Sequence, residues 1–378
     1  MVIEDLDIGH LSTNVEKIET INFMSLPEYE NTSTPKRLGY RMPAEWESHI
    51  STWLAWPHDH ETWQDELLIQ VEEIYLKMIQ ELHQAEEVHL LVDDQSEEDE
   101  VVEKLKRHDI VSNIFFHQIE TVGPWIRDYG PTFLLNGEGK SAYCDWIFNA
   151  WGFKYDRQLA DNEIPEILSD DLYMPRFRPR IVLEGGSIDV NGKGLLITTE
   201  QCLLNMNRNY GTEREELERI LKEHLGIEQF IWLLGGLFGD DTDGHIDNVA
   251  RFVNENTLVM IDEDDRTDVN CDMIRRNWRI LEENRAGNMG MLNFIRLPMP
   301  RKIMAGEKRL PGSYANFYIG NEVVLVPVYG DSNDSRALGI LRECFPKRRV
   351  VGVPSGALLV GGGAIHCVTQ QQAAEPGT

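Results

Sequence analysis

A unit that repeats along the chain limits its fold more than any other sequence feature. Each copy is typical of a β-hairpin with a Gly or Asn turn, then a helix, then an apolar strand, over about sixty residues. Three copies are clear, and they begin at "SIDVNGKGLLITTE", "NVARFVNENTLVMIDED" and "ANFYIGNEVVLVPVYG". In the first copy the helix is "TEREELERILKEHLG" and the strand is "QFIWLLGG". The repeat therefore predicts successive ββαβ units.

Two weaker copies lie upstream. The first of them combines "TFLLNGEGKSAYCDWIF", a helical stretch near residues 155–168 and "PRIVLEGG"; the other combines "HISTWLAW", a long helix, "EVHLLVDD", a short acidic helix and "NIFFHQIE". Because such units bury their faces only against neighbours, five of them with a closing C-terminal strand predict a ring rather than an open solenoid. The competing interpretation is a doubly wound parallel sheet. It is weakened by the hairpins, which join antiparallel strands, and by the absence of a GxGxxG loop.

Composition limits the class of protein. With 378 residues and 42% hydrophobic content, the chain can form one large domain or two smaller ones. The ring favours a single domain over residues 1–378, with residues 1–38 less regular. The apolar runs of the chain fall far short of the roughly twenty residues that cross a bilayer. Five cysteines without a CxxC pair fit a reducing compartment. We therefore expect a cytoplasmic protein with no membrane partner.

The charge balance favours small cations over nucleic acid. The 36 basic and 64 acidic residues give a formal net charge of −28. This charge repels a phosphate backbone and attracts cations, although acidity also simply keeps proteins soluble. We expect no nucleic-acid partner.

Four loops that follow predicted strands carry glycine beside an ionisable side chain. They are "TVGPWIRDYGP", "LEGGS", "LFGDDTDGHIDN" and "VGGGAIHC". In a ring of equivalent units these loops meet at one end. They would bring together Asp128, Glu184, His245, Asp247 and Cys367.

The segment "DGHID" places His245 and Asp247 two residues apart, on one face of a strand. A histidine beside a carboxylate is suited to general acid–base chemistry. The calcium pattern of an EF-hand fails here, because its alignment puts Gly239 at the first ligand position and Ala250 where a glutamate is needed. Zinc lacks paired ligand spacing, although a mixed site built from distant loops stays open. We predict no metal ligand and no cofactor.

Cys367 is the candidate nucleophile, with a packed small side chain as the alternative. The glycines before it allow the backbone to approach a ligand closely, and a cysteine attacks as its thiolate. His366, the adjacent residue, would point to the opposite face of a strand, so we interpret it as structural and His245 as the partner. The remaining cysteines lie in apolar patterns and are assigned to packing: Cys144, Cys202, Cys271 and Cys344.

The carboxylates suit a guanidinium ion, which is planar, cationic and forked. Asp128 and Asp247 would grip its N–H edges from opposite sides and hold its central carbon before a thiolate. Glu184 would hold the far nitrogen of His245, with a capping or turn role as the alternative.

In this order, "GPWIRDYGP", "LEGGSIDVNGKG", "DTDGHIDN" and "GGGAIHCVTQQQ" resemble the agmatine deiminases, a family of the guanidine-modifying superfamily that includes peptidylarginine deiminases. The resemblance covers nearly the whole chain. It implies the pentein fold, an α/β propeller of five ββαβ units about a pseudo-fivefold axis. The family often forms dimers, so a homodimer is expected.

The resemblance also implies roles. Cys367 would be the nucleophile, His245 the general acid and base, Glu184 its orienting partner, and Asp128 and Asp247 the guanidinium clamps. The implied reaction is metal-free and converts agmatine to N-carbamoylputrescine and ammonia through a covalent amidino-cysteine intermediate.

Substrate preference depends on residues around these five. Trp125 would lie against the substrate. Asp243 would bind the ammonium group of agmatine, and Asp240 is the weaker candidate for this role. One departure from the family is Ala364, where asparagine is common. Of the arginines in the four loops, only Arg127 is available for the α-carboxylate of free arginine, which favours agmatine.

Three alternatives remain from the sequence. The same chemistry on free or peptidyl arginine is the nearest. A non-catalytic guanidinium- or polyamine-binding protein would need the carboxylates but neither Cys367 nor His245. Amidino transfer would replace water by an amine.

Overall fold

The structure is a computed structural model that describes residues 33–286 and 292–374. In this part of the chain, short strands form six sheets. The strands are β1 (Tyr40–Arg41), β2 (His49–Ala55), β3 (Glu87–Val92), β4 (Ile114–Gln118), β5 (Thr132–Asn136), β6 (Ser141–Cys144), β7 (Arg176–Phe177), β8 (Ile188–Val190), β9 (Leu195–Thr199), β10 (Gln229–Leu233), β11 (Ala250–Asn254), β12 (Thr257–Asp262), β13 (Asn293–Pro298), β14 (Ile303–Ala305), β15 (Lys308–Leu310), β16 (Tyr318–Ile319), β17 (Val323–Val328), β18 (Arg349–Pro354) and β19 (Gln370–Ala373).

Helices connect these strands. The longer ones are α1 (Asp65–Leu82), α2 (Gln95–Arg107), α3 (Arg214–Leu225), α4 (Cys271–Ala286) and α5 (Asp334–Cys344). Short α-helical turns cover Ile126–Tyr129, Ala150–Phe153, Ile164–Ile167, Ser169–Leu172, Glu200–Leu203 and Gly356–Leu359, and 3₁₀ turns cover Lys36–Leu38, Asp156–Glu163, Gly185–Ser187, Ile246–Asn248 and His366–Val368.

The three clear repeats fold as predicted. In the first, β8 and β9 form an antiparallel hairpin, α3 crosses over, and β10 returns parallel to β9. β11, β12, α4 and β13 repeat this plan, as do β16, β17, α5 and β18. The hairpin turn of the first unit contains Gly192 and Gly194, both at positive φ, where a side chain would be strained. The ββαβ prediction is confirmed for these units.

The fourth unit differs from its prediction in its last strand. That strand is β7, and the predicted strand over residues 179–186 contributes only an isolated parallel bridge between Val182 and Ile147. The helical stretch predicted near residues 155–168 is present, as the 3₁₀ helix Asp156–Glu163 followed by the α-helix Ile164–Ile167. The side chain of Asp161 accepts the N–H of Val122, which ties this crossover to the loop after β4.

The N-terminal unit is closed by the C-terminal strand, as predicted. β2, β3 and β4 run parallel, with α1 and α2 between them, and β19 pairs antiparallel with the free side of β2. The side chain of Asp94 caps α2 by accepting the N–H groups of Ser96 and Glu97. The described residues from Thr34 onward form one compact unit, while the predicted irregular segment 1–38 lies mostly outside the described residues.

The four glycine-containing loops begin where parallel strands or bridges end. They follow β4, the bridge at Val182, β10 and β18. Because the carboxyl ends of parallel strands face the same way, their loops can meet at one site. None of the helices in residues 33–286 and 292–374 is both long and apolar enough to cross a membrane.

Candidate active site

Cys367 lies at the centre of the site, in the 3₁₀ turn His366–Val368. The residue is 4% exposed. Its Sγ lies 3.5 Å from Oδ2 of Asp247 and 3.2 Å from Nδ2 of Asn316. Burial raises the pKa of the Cys367 thiol well above its usual value, and the charges of Asp247 and Asp128 raise it further. The thiol is therefore neutral before a cation arrives.

The glycines of "GGGAIHC" make room for an aromatic wall beside this thiol. A Cβ on Gly363 would lie 2.6 Å from Cζ3 of Trp125 and 3.1 Å from Sγ of Cys367. A Cβ on Gly361 would lie 2.4 Å from Cζ2 of Trp63, whose ring centroid is 5.7 Å from that of Trp125. The structure thus places Trp125 directly against the loop of Cys367.

Gly363→Ala should reduce kcat by about 10²-fold, because the added methyl displaces Trp125 and Cys367 from a geometry on which reaction depends. Steady-state kinetics would measure the effect. The matched control is Gly356→Ala, since a Cβ there meets no heavy atom within 4 Å. Equal activity of the two variants would contradict this account of the glycine.

Two buried carboxylates face each other across the site. Asp128 accepts the N–H of Gly186 at 3.0 Å through Oδ1 and the indole N–H of Trp151 at 2.8 Å through Oδ2. Asp247 is fully buried, and its Oδ1 has no hydrogen-bond partner in the described chain. A Cβ on Gly186 would lie 2.8 Å from Oδ1 of Asp128 and 3.0 Å from Oδ2 of Asp247, so only glycine fits between them.

The two carboxylates differ in acidity. Burial raises the pKa of Asp128 to about 6, against the opposing effect of His245. Burial also acts on Asp247, but its hydrogen bond to His366 and the charge of that histidine lower its pKa below the usual value. Asp247 is therefore the constant negative charge of the pair, and Asp128 is the one that titrates.

His245 is fully buried beside Asp128, with Nδ1 3.7 Å from Oδ1 of that residue. Neither ring nitrogen has a hydrogen-bond partner within the described residues. Burial alone would lower the pKa of His245, but Asp128, Cys202 and Glu184 together raise it well above its usual value. A protonated imidazole in this position is ready to give a proton to a leaving group.

His366 has closer contacts with the site than the sequence predicts. Its Nδ1 lies 2.8 Å from Oδ2 of Asp247, and its Nε2 lies 2.9 Å from Oε2 of Glu45. The expectation that it points away from the site rested on strand alternation, which does not apply in a 3₁₀ turn. In both contacts the carboxylate oxygen is the acceptor. His366 thus orients Asp247.

Glu184 and Asp243 share one buried arginine. The Nε of Arg208 lies 2.5 Å from Oε1 of Glu184, and its Nη1 lies 3.0 Å from Oδ2 of Asp243. Asp243 also pairs with Lys154 at 2.7 Å. Asp243 is thus already paired with two cationic side chains, which reduces its attraction for a cationic ligand. Oε2 of Glu184 remains without a hydrogen-bond partner in the described chain.

Glu184, Cys202 and His245 lie together on the buried side of the site, with one ligand atom of each within 4.8 Å of the others. Spacing in the sequence assigns Cys202 to packing, yet the structure places its thiol beside the histidine. This is the kind of mixed metal site from distant loops that the sequence leaves open. A metal held there would occupy a ring nitrogen of His245 and so remove it from proton transfer.

Several site neighbours carry no signal in the sequence. Asn316, Arg208 and Glu45 lie outside the four glycine-containing loops and reach the site only through the fold. Trp151 lies in "FNAWG" at φ 55°, a backbone conformation unusual for tryptophan that a sequence alone does not reveal. Asn316, Arg208 and Trp151 each contact a predicted site residue far from them in the chain, and Glu45 reaches the site through His366.

The four predicted loops therefore do meet, and they surround a thiol with two carboxylates and a histidine. A model of the Porphyromonas-type peptidyl-arginine deiminase family matches residues 41–373. The chain belongs to this family. The resemblance drawn from the loop motifs is thus confirmed at the level of the family.

Individual members of this deiminase family align over nearly their whole length. The agmatine deiminase of Ectopseudomonas mendocina (strain ymp) is 38% identical over 370 residues, which are 92% of this chain and 99% of the relative. The agmatine deiminase of Enterococcus faecalis superposes with a TM-score of 0.82 at 29% identity, covering 90% of this chain and 98% of that one. The C. jejuni agmatine deiminase superposes with a TM-score of 0.78 at 28% identity, covering 89% and 97%. The chain has the fold of these solved agmatine deiminases.

Proposed function

We propose that the chain is an agmatine deiminase that hydrolyses the guanidinium group to a ureido group and ammonia. The observation that carries this proposal is one buried group: the thiol of Cys367 lies beside Asp247, only Gly186 separates Asp247 from Asp128, and His245 lies beside Asp128. Two neighbouring carboxylates beside a nucleophile match the two N–H edges of a planar guanidinium. The many relatives described as agmatine deiminases support the same conclusion.

Substrate binding would itself activate the nucleophile. The charges of Asp247 and Asp128 raise the pKa of the Cys367 thiol. A guanidinium held between them offsets both negative charges, so the thiolate forms more readily in the complex than in the free enzyme. Attack would then begin only when a cationic substrate is in place.

The reaction proceeds in two halves. The Cys367 thiolate bonds to the guanidinium carbon, and the protonated His245 gives its proton to the departing nitrogen, which leaves as ammonia. The amidino group stays on sulfur. Water then attacks the same carbon while the now neutral His245 takes its proton. The hydroxyl proton of the adduct passes to solvent, where the released ammonia takes it up, the carbon–sulfur bond breaks, and the ureido product leaves with Cys367 as thiolate. Glu184 lies near His245 on the buried side of the site, and its negative charge helps to keep the imidazole protonated before the first step.

The preference for agmatine over arginine follows from the arginines around the site. Arg127 donates to the carbonyl of His366 and to Oε1 of Gln371 at 2.7 Å, and Arg208 is taken up by Glu184 and Asp243. Both are buried and each already faces a carboxylate, since Nη2 of Arg127, which has no hydrogen-bond partner among the described residues, lies 3.6 Å from Oε2 of Glu45, so neither is free for an α-carboxylate. A net charge of −28 further favours the dication over a zwitterion.

We further propose that the five strand-containing units surround a pseudo-fivefold axis as an α/β propeller. The repeated ββαβ plan and the pairing of β19 with β2 support this arrangement. It would place the loops after β4, β10 and β18 around one central site.

The value of kcat/KM for agmatine should fall below about pH 6, roughly tenfold per unit, because Asp128 loses its charge as the pH drops through its pKa of about 6. The lowered pKa of Asp247 means that this residue titrates below the pH range of the expected fall. Rate measurements between pH 4.5 and 8, at saturating and at low substrate, would determine the profile. Asp128→Asn should lower activity and remove this acid limb. A flat wild-type profile across pH 5 to 7 would contradict the assignment.

Product formation from agmatine, free arginine and an arginine peptide would test the function as a whole. Ammonia and ureido product are measured together for each compound. We expect turnover of agmatine alone. Turnover of an arginine compound instead would support the proposed chemistry but contradict agmatine as the substrate. The absence of any product would contradict the proposed hydrolase activity.

A further inference from the structure

A second group of metal-ligand side chains lies away from the reacting thiol. His58, Asp93 and Glu97 each offer a ligand atom, and these atoms lie within 4.8 Å of one another. Their side chains keep 24%, 33% and 18% exposure, so an ion in solution can reach them. His58 follows β2, Asp93 follows β3, and Glu97 lies in the first turn of α2. The fold, not sequence spacing, brings the three together.

The histidine in this group has the orientation of a metal ligand. Its Nδ1 lies 3.1 Å from the carbonyl oxygen of Trp56, and because a carbonyl only accepts, Nδ1 carries the proton. This leaves the lone pair on Nε2, 3.6 Å from Oδ2 of Asp93. That separation is long for a hydrogen bond but suits two ligands of one ion. Metal-binding histidines commonly donate their other N–H to a backbone carbonyl in this way.

The carboxylates also keep an oxygen for an ion. Oε2 of Glu97 accepts the N–H of Asp93, while Oε1 lies 3.9 Å from Nδ1 of His58. Oδ1 of Asp93 accepts the N–H of Thr121, while Oδ2 faces the histidine. In each residue one oxygen anchors the backbone and the other is turned toward the group.

A fourth carboxylate holds the same loop. Asp161 is 1% exposed, and its Oδ2 has no hydrogen-bond partner among the described residues. Burial raises the pKa of Asp161 to about 7, while the charge of His58 opposes this rise and that of Asp93 adds to it. Its Oδ1 accepts the N–H of Val122, next to Thr121, whose N–H is held by Asp93.

We propose that His58, Asp93 and Glu97 bind a divalent first-row metal ion. One imidazole nitrogen with carboxylate oxygens suits Mn²⁺ or Zn²⁺. Asp93 and Asp161 also hold the N–H groups of Thr121 and Val122, in the loop that leads to Trp125. The ion therefore braces the substrate-facing loop from outside and takes no part in bond breaking.

Titration of the protein with Mn²⁺, followed by the loss of the free-ion electron paramagnetic resonance signal, tests this site. Mn²⁺ is the probe because it prefers oxygen ligands and binds poorly to the thiol of Cys202. We expect one bound ion per chain, with affinity at least tenfold weaker in His58→Gln and in Asp93→Asn. The matched control is His60→Gln, an exposed histidine that pairs with Asp65 and should bind Mn²⁺ as the wild type does.

A thermal melt of each variant with and without Mn²⁺ separates binding from misfolding. The ion should raise the Tm of the wild type and of His60→Gln, but not of His58→Gln. Cys202→Ser should bind Mn²⁺ normally, and a loss of binding there would assign the ion to the catalytic side instead. Equal Mn²⁺ affinity in His58→Gln and the wild type, or no binding to the wild type at millimolar Mn²⁺, would overturn the proposal.

Discussion

Replacement of Cys367 by serine should reduce agmatine turnover by about four orders of magnitude or more, the loss typical when a covalent nucleophile is removed. A serine hydroxyl has a far higher pKa than a thiol, and no neighbouring base is positioned to remove its proton. The pKa of His245 is raised well above its usual value, so that ring carries a proton and is a poor base for this step. Ammonia release under saturating agmatine would measure the effect.

The fold should survive this change, since serine is smaller than cysteine and Asn316 can still donate to it. Cys344→Ser, in α5 and partly exposed, is the matched control and should retain wild-type turnover. Mass spectrometry of the wild type quenched during turnover should detect the amidino group on Cys367. Substantial turnover by the serine variant would contradict the assignment of Cys367 as the nucleophile.

The largest expected loss of stability comes from Arg208→Met. The arginine side chain is fully buried, and it binds Glu184, Asp243 and the carbonyl oxygen of Thr242. Methionine would leave the buried Glu184 carboxylate without its cation, and breaking a buried ion pair in this way costs about 3–5 kcal/mol. Urea unfolding, followed by circular dichroism, would measure the free energy of unfolding.

The partner carboxylate provides the rescue for this experiment. Adding Glu184→Gln to Arg208→Met removes the uncompensated charge and should recover a large part of the lost stability, although not the activity. Arg219→Met, which breaks an exposed pair with Glu216, should leave the unfolding midpoint unchanged. If the double variant were no more stable than Arg208→Met, the loss would come from packing rather than from charge.

The repeat made much of the fold predictable, because alternating apolar residues, Gly or Asn turns and amphipathic helices are local signals. The three hairpin units and a closing C-terminal strand were predicted and are confirmed, and the structure pairs that strand, β19, with β2. The unit around β7 was predicted with the wrong last strand. Its crossover is stabilised by side-chain bonds, such as that from Asp161 to the loop at Val122, and these long-range bonds have no local pattern.

The site was predictable where an ionisable side chain and a glycine lie in the same loop. Cys367, His245, Asp128, Asp247 and Glu184 all lie in such loops, and the structure brings them together, while their roles stay predictions. The outer residues were not predictable, since Asn316 is 51 positions from the thiol it contacts and Arg208 is 24 from its glutamate. His366 was assigned to the wrong face because alternation was assumed in a segment that forms a turn.

The pairing of β19 with β2 determines when a newly synthesised chain can complete its fold. The indole of Trp53 in β2 donates to Gln372 in β19, 319 positions later and shortly after Cys367. During synthesis the earlier units can fold as they emerge, yet the edge of β2 must wait for the final strand to leave the ribosome. A chain stalled or cleaved before Cys367 would therefore expose an unpaired strand edge, prone to aggregation, and would also lack the candidate nucleophile.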